Sequence, residues 1–154
     1  MTATHLDPQS LIGKALPTFT ATAERGRLRF FAKAIGEVDP VYTDVAAARV
    51  AGYGDLPVPP TFFYSLELGR PDPHGFLRDI GVDMRQILHG EEGFTYHRVV
   101  VAGEELTFRP RIVDYYEKKG GALRFLVRET QVFAAQELVA ELRNVIVVRQ
   151  LELV

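Results

Sequence analysis

The sequence contains no cysteine and no tryptophan, and it has only 2 methionines among 154 residues. The absence of cysteine excludes a disulfide scaffold, a thiolate-ligated zinc or iron–sulfur site and a cysteine nucleophile. The chain also lacks an excess of one charge, since 18 Lys and Arg residues stand against 20 Asp and Glu residues. Without a bulk positive field, neither nucleic acid nor an anionic membrane is expected as a partner.

Long hydrophobic runs are absent as well. No window approaches the roughly 20 apolar residues that span a bilayer, and residues 1–10 show no charged segment followed by an apolar one. We therefore expect a cytoplasmic protein. A folded chain of this size buries about 68–70% of the surface that its unfolded form exposes, so it needs no disulfide or metal. One domain over 1–154 is expected, with 1–9 as a mobile tail.

The first half of the chain shows apolar residues at helical spacing. Over 24–36 they recur at i, i+3, i+4 and i+7 from Leu28, with basic side chains on the other face. This pattern predicts an amphipathic helix that Thr22 caps and Gly36 ends. An Ala-rich helix is predicted over 45–51.

A loop of glycine, proline and apolar residues follows over 52–60, and its apolar character indicates that it lines a cavity. The next segment, 61–68, is apolar nearly all round, which predicts a buried helix. The segment 69–81 contains two prolines and three glycines and is predicted to be a loop.

The second half is rich in Val, Ile, Phe, Tyr and Thr, in runs that Gly or polar turns interrupt. Strands are predicted over 94–101, 105–118, 123–133 and 138–148, with a shorter one near Phe19. Helices followed by strands indicate an α+β domain. The predicted fold is a single hot dog, an antiparallel sheet of about five strands wrapped round a buried central helix over 61–68.

Two groups of polar residues are candidates for chemistry. Between the first two helices, Pro40 forces Asp39 out of the helical region, so that Glu37 and Asp39 either cap the next turn or face a substrate. His89 and His97 are the two histidines of the second half, where each is either an acid or base or a structural residue bonded to a carbonyl. No metal is expected, because no metal-ligand spacing occurs.

Three separated stretches carry a resemblance to a known family: residues 31–44, 58–62 and 88–104. In this order they resemble the MaoC-like hot-dog dehydratases, and more closely the N-terminal, FAS1-like dehydratase branch. The resemblance implies hydration of a trans-2-enoyl thioester, or dehydration of a 3-hydroxyacyl thioester, on coenzyme A or an acyl carrier protein. It implies no cofactor.

The resemblance also assigns roles. The R-specific hydratases of this family carry Gly-Asp-x-Asn-Pro-(Leu or Ile)-His-x-Asp, with the Asp and His as the catalytic pair. Glu37 matches the catalytic Asp, Asp39 matches the Asn, and Tyr42 matches the catalytic His. A backbone N–H at the start of the buried helix, from Thr61 or Phe62, would stabilise the developing enolate oxygen.

Tyr42 departs from the family pattern, because a phenol with an ordinary pKa of about 10 is a poor base at neutral pH. The FAS1-like branch, including the substrate-holding subunits of mycobacterial mycolic-acid dehydratases, resembles this chain in having Tyr there, and those subunits pair with a His-bearing subunit. The resemblance therefore implies a homodimer, or a heterodimer with a second hot-dog subunit. Alternatively, His89 or His97 replaces the missing base.

The region around the buried helix is the predicted substrate-binding wall. Its candidate residues are Gly54, Val58, Pro60, Thr61, Phe62 and Phe63. In the simpler interpretation the apolar members of this set are core residues. Two other functions stay open: a non-catalytic acyl-thioester binding subunit, and a hot-dog acyl-CoA thioesterase that uses a carboxylate and water.

Overall fold

The computed structural model describes residues 6–150, which form a five-stranded antiparallel sheet against a buried helix. The helices are α1 (Pro8–Leu11), α2 (Arg25–Ala34), α3 (Val45–Val50), α4 (Phe62–Leu68) and α5 (Gly75–Asp79). The strands are β1 (Phe19–Thr22), β2 (Ile87–Tyr96), β3 (Glu105–Lys118), β4 (Leu123–Ala134) and β5 (Glu137–Arg149). Short 3₁₀ turns lie at Pro40–Tyr42, Met84–Gln86 and Lys119–Gly121. The strand order is β1-β3-β4-β5-β2, so β1 and β2 are the edges.

The predicted α+β class and the sheet of five strands are confirmed. The three long strands β3, β4 and β5 are neighbours and form a meander, and the short strand predicted near Phe19 is β1. The helix α4 lies in the core, with Phe62, Phe63 and Leu66 each only 2% exposed. Among the residues described, no helix has the length and apolar character needed to cross a membrane.

The strand predicted over 94–101 is wrong in its bounds, because β2 runs over Ile87–Tyr96. An edge strand with one solvent-facing side needs no continuous apolar run, so the polar residues at its start gave a loop-like sequence. The N–H groups of His97 and Arg98 still donate to the carbonyl of Val139 on β5, at 2.9 and 3.4 Å. The chain then leaves the sheet, and the carbonyl of Val100 accepts a hydrogen bond from Val58 N–H at 2.8 Å. His97 therefore lies beyond the strand that was predicted to contain it.

Three further predictions near helices are corrected. Thr22 belongs to β1 and does not cap α2, which Glu24 precedes. Of the residues predicted as a mobile tail, Leu6 is buried and Pro8 begins α1, while 1–5 lie outside the described residues. The predicted loop over 69–81 contains α5, which forms because two consecutive apolar residues of it pack into the core.

The sheet register divides the helix-facing side into apolar and polar rows. Arg128 on β4 lies opposite Asn144 on β5, and Asn144 lies opposite Glu92 on β2. Because directly paired residues share a face, these three side chains form one polar row across the sheet. One apolar cluster, which includes Leu142, lies on one side of this row, and a second, which includes Ile146, lies on the other. The core is thus split in two by polar side chains.

A β-bulge at Gly90 shapes the helix-facing side of β2. His89 pairs with Ile146 and Glu92 with Asn144, whereas Gly90 is the extra residue without a paired position. Residues 89 and 92 of a regular strand point to opposite faces, since side chains alternate with period two. The extra residue restores the alternation, so that His89 and Glu92 share the helix-facing side.

Gly90 is expected to be required for this bulge. A Cβ atom at position 90 would lie 2.8 Å from the carbonyl oxygen of Val145 and 2.9 Å from a methyl of Val147. The substitution Gly90→Ala should therefore destabilise the protein by about 1–3 kcal/mol through overpacking, measured by urea unfolding. Gly93→Ala is the matched control in the same strand, because its Cβ would meet its nearest atom at 3.8 Å. Equal unfolding midpoints for the two variants would contradict this prediction.

Candidate functional site

The loop between α2 and α3 brings together the three residues that the motif singled out. Glu37 accepts a hydrogen bond through Oε1 from the N–H of Asp39 at 2.9 Å. Asp39 accepts one through Oδ1 from the N–H of Val41 at 3.0 Å, and so caps the turn at Pro40–Tyr42. Both carboxylates thus stabilise the loop itself, which is the capping role that the sequence left open.

Tyr42 lies half-buried beside these carboxylates. Burial raises the pKa of its phenol, and the negative charges of Glu37 and Asp39 raise it further. Near neutral pH the phenol therefore keeps its proton, and it can donate a hydrogen bond but cannot take a proton from carbon. The position that matches the family's histidine is a hydrogen-bond donor here.

A cleft of about 410 Å³ opens between α2 and α4. Its walls are Gly26, Arg27, Phe30, Phe31, Phe62 and Ser65. The guanidinium of Arg27 lies over the ring of Phe62, with 5.5 Å between Cζ and the ring centroid. Phe30 is 76% exposed at the rim. The cleft is apolar apart from one cation and one hydroxyl, which suits the hydrocarbon part of a ligand.

The six predicted substrate-binding residues do not lie together on one surface. Val58, Phe62 and Phe63 are buried core residues, as in the simpler interpretation, although Phe62 also lines the cleft. Gly54, Pro60 and Thr61 are exposed. The N–H of Phe62 donates to the carbonyl of Pro59 at 2.9 Å, so this donor is already used within the chain and is not free for an enolate oxygen.

The two candidate histidines are in different surroundings. His97 lies on the surface, with Nε2 at 3.0 Å from Oε2 of Glu141. His89 faces α4, with Nδ1 at 3.3 Å from the hydroxyl of Tyr64 and 3.4 Å from Nδ2 of Asn144. His97 is thus held in a surface pair, whereas His89 belongs to a polar group on the helix-facing side of the sheet.

The polar row contains one carboxyl with a large pKa shift. Glu92 accepts a hydrogen bond from Nδ2 of Asn144 at 2.7 Å, while its Oε1 is buried and has no partner among residues 6–150. Burial raises the pKa of Glu92 to about 7, because loss of hydration disfavours the charged form more than the bond from Asn144 favours it. A carboxyl of this kind exchanges a proton near neutral pH.

A buried ion pair connects α4 to the polar row. Glu67 is 1% exposed and Arg128 is 3% exposed, and Nη2 of Arg128 donates to Oε2 of Glu67 at 2.7 Å. The hydroxyl of Thr130 donates to the other carboxylate oxygen, also at 2.7 Å. Both oxygens of Glu67 are therefore satisfied inside the core. Two sites result: the loop around Glu37, and the polar row with its neighbours on α4.

The sequence pattern did not single out Glu67, Glu92, Arg128 or Asn144. The available signal was limited to Glu67, which stands between two leucines of an apolar helix, since buried charges are rare unless they are paired. Arg128 and Asn144 stand beside other polar residues and gave no such signal. Within residues 6–150, no hydrogen bond or ion pair joins the loop around Glu37 to the polar row. No group of three His, Asp or Glu side chains suited to a metal occurs in the same part of the chain.

The sequence matches a known family and several relatives. A family profile described as "FAS1-like, dehydratase domain region" matches residues 10–142. A UPF0336 protein of Leifsonia xyli subsp. xyli is 36% identical over 124 residues, which are 77% of this chain and 78% of that protein. A UPF0336 protein of Streptomyces coelicolor is 40% identical over 101 residues, which are 64% of this chain and 67% of that protein.

Solved structures show the same fold. A chain of the ChsH1-ChsH2 complex from Mycobacterium tuberculosis superposes on this protein with a TM-score of 0.72 and 24% sequence identity. The superposition covers 91% of this chain and 86% of that one. The truncated HadBC complex from the same organism, a 3R-hydroxyacyl-ACP dehydratase, gives a TM-score of 0.70 and 26% identity, over 86% of this chain and 92% of its own. The fold is thus the hot-dog fold of MaoC-like dehydratases.

Removal of one partner of the buried ion pair should be strongly destabilising. Arg128→Met leaves the Glu67 carboxylate buried without its cation, and Glu67→Leu leaves the guanidinium unpaired, so each should cost about 3–5 kcal/mol of unfolding free energy. The double variant should lose much less than the sum, because two apolar side chains need no partner. A double-mutant cycle by urea unfolding measures this, and strictly additive losses would be inconsistent with a coupled pair.

The pKa of Glu92 makes stability depend on pH. Since the folded value is about 7 and the ordinary value is 4.5, the folded protein holds a proton between these pH values that the unfolded chain has released. The contribution of Glu92 to stability is therefore present below pH 4.5 and is lost as the pH rises to 7. Glu92→Gln should remove this decline. The measurement is the unfolding free energy of the wild type and of Glu92→Gln from pH 4 to 8. The same pH dependence in the two proteins would contradict the prediction.

Proposed function

The chain belongs to the FAS1-like dehydratase family, and we propose that it is one subunit of a hydro-lyase acting on 3-hydroxyacyl or trans-2-enoyl thioesters. The thioester would be carried by coenzyme A or an acyl carrier protein. The match of the family profile over residues 10–142 supports this reaction class. The HadBC relative, a 3R-hydroxyacyl-ACP dehydratase, supports the thioester substrate.

We assign catalysis to a second subunit because of the residues in the loop around Glu37. Dehydration requires a base to take the proton from C2 and an acid to protonate the hydroxyl that leaves C3. Tyr42 holds its proton, and Glu37 and Asp39 each use one carboxylate oxygen to stabilise the loop. The loop around Glu37 contains no histidine, and both of its carboxylates accept hydrogen bonds from the loop backbone. The catalytic pair would come from a second hot-dog subunit.

The open edge of the sheet is the proposed contact with that subunit. β2 has ten residues and pairs only with β5 among the described strands, whereas the opposite edge, β1, has four residues. A long edge strand presents unpaired N–H and C=O groups that another strand can pair with. Leu88 and Tyr96 on β2 are 45% and 43% exposed. The ChsH1-ChsH2 and HadBC complexes support a partner of the same fold.

The cleft between α2 and α4 is the proposed position of part of the acyl chain. Its aromatic walls offer apolar surface, and its rim residue Phe30 is largely exposed in the isolated chain. Covering such a ring with a hydrocarbon chain removes apolar surface from water, which favours binding. The same evidence fits a subunit that only holds the acyl chain, and this is the second candidate function.

Co-expression with a hot-dog chain that carries Gly-Asp-x-Asn-Pro-x-His tests the proposal. The complex should hydrate trans-2-enoyl-CoA, measured by the loss of enoyl absorbance, and this chain alone should not. In the complex, Glu37→Gln should change kcat by less than about 3-fold, whereas the Asp→Asn change in the partner's motif should lower it by about 10²–10⁴-fold.

The opposite pattern would reassign catalysis. If Glu37→Gln lowers kcat of the complex about 100-fold while acyl-CoA binding persists, Glu37 is a catalytic residue. This chain then does more than hold the acyl chain. If no combination hydrates enoyl-CoA of short or long chain, the proposed reaction class is wrong.

A further inference from the structure

A second polar site lies where the Gly90 bulge faces α4. It consists of Tyr64, His89, Glu92 and Asn144, and we refer to it as the bulge site. The bulge turns His89 and Glu92 to one face, and α4 places the ring of Tyr64 above His89 with 5.4 Å between the ring centroids. In the part of the chain that the structure describes, no hydrogen bond or ion pair joins these residues to the loop around Glu37.

The hydrogen bonds inside the bulge site are incomplete. Nδ2 of Asn144 lies near three polar atoms, at 2.7 Å from Oε2 of Glu92, 3.3 Å from the carbonyl of Glu91 and 3.4 Å from Nδ1 of His89. One amide nitrogen has only two protons, so it cannot also serve Oε1 of Glu92. That oxygen is buried without a partner among residues 6–150. A buried polar atom of this kind requires a group from outside the chain or a cost in stability.

The charges around the bulge site favour a neutral ligand. Glu92 faces Glu67, which opposes an added anion, and Arg128, which opposes an added cation. The pKa of Glu92 is raised to about 7, so a large share of the molecules carry a neutral carboxyl at that pH. Such a carboxyl donates a hydrogen bond through its O–H and accepts one through its other oxygen. The pKa of the Tyr64 phenol is also raised, chiefly by burial, so its hydroxyl is neutral as well.

The surroundings of the bulge site are aromatic. Phe94 and Tyr96, the next helix-facing residues on β2, stack with 5.9 Å between their ring centroids. Phe63 on α4 lies 6.0 Å from the ring of Tyr96. A ligand that fits here has an apolar body and a single neutral polar group.

We propose that the bulge site binds the 3-hydroxyl group of an acyl thioester, with Glu92 and Tyr64 as its hydrogen-bonding partners. This assignment rests on the proposed function and extends it, since it gives this subunit a means to recognise the hydroxylated substrate rather than only its hydrocarbon chain. Glu92 and Tyr64 act here in binding, and no bond of the substrate is broken by them.

The test compares two ligands in the full-length chain. Calorimetry should show that (R)-3-hydroxydodecanoyl-CoA binds about 3- to 10-fold more tightly than dodecanoyl-CoA, as expected for one net hydrogen bond. The ratio of the two Kd values is the readout, because general damage to the fold changes both Kd values together.

Three variants and one control locate the effect. Glu92→Leu and Tyr64→Phe should each bring the Kd ratio towards 1, and Glu92→Gln should keep it, because an amide still donates and accepts. Glu91→Leu is the matched control, since the Glu91 side chain is 72% exposed and lies on the other face of β2. It should leave the ratio unchanged.

The possible failures are distinguishable. A wild-type ratio of 1, or a ratio that Glu92→Leu and Tyr64→Phe leave intact, overturns the bulge site while acyl-CoA binding itself still supports the proposed function. If the wild-type chain binds neither acyl-CoA, the proposed function fails and the bulge site fails with it.

Discussion

The ion pair between Glu67 and Arg128 sets the orientation of α4, on which both the bulge site and the cleft beside α2 depend. Each charge loses its hydration in the core, so each must meet the other and, for Glu67, also the hydroxyl of Thr130. This requirement fixes the rotation of α4 about its axis. Tyr64, one turn before Glu67, is then directed towards β2 and β5, while Phe62 faces the cleft beside α2. A single buried pair thus positions two surfaces of the central helix.

The sequence predicted the elements whose pattern is unambiguous. β3 has the predicted bounds, since alternating apolar residues end at the turn Lys119–Gly121, and α4 was recognised as buried. β2 was placed too late because its first half is polar and contains the bulge. The polar row was not found, since Arg128 follows Glu67 by 61 residues, and a hydropathy pattern treats each isolated charge as exposed. Pairing of distant charges is a property of the register, which no local pattern contains.

The candidate site was predicted in its composition more than in its chemistry. Glu37, Asp39 and Tyr42 do lie together, as the motif indicates. Residue types could not decide whether the two carboxylates cap the turn or face a substrate, and only the structure shows the hydrogen bonds that they accept from backbone N–H groups. His89 was selected for being a histidine in the second half, and only the structure shows that it faces α4 with Glu92 and Asn144 as neighbours. The sequence pattern left His97 the same alternatives as His89, yet His97 is paired with Glu141 on the surface.

The position of Glu92 on an edge strand has a thermodynamic consequence. The polar row begins inside the core at Arg128 and ends at β2, the strand along which a second subunit would pair. A subunit that paired there would change the hydration of Glu92, and a ligand bound to Glu92 would change the surface offered to that subunit. Linkage makes such effects reciprocal, so the factor by which a partner alters ligand affinity equals the factor by which the ligand alters affinity for the partner. Assembly and ligand binding in this protein would then share one free energy of coupling.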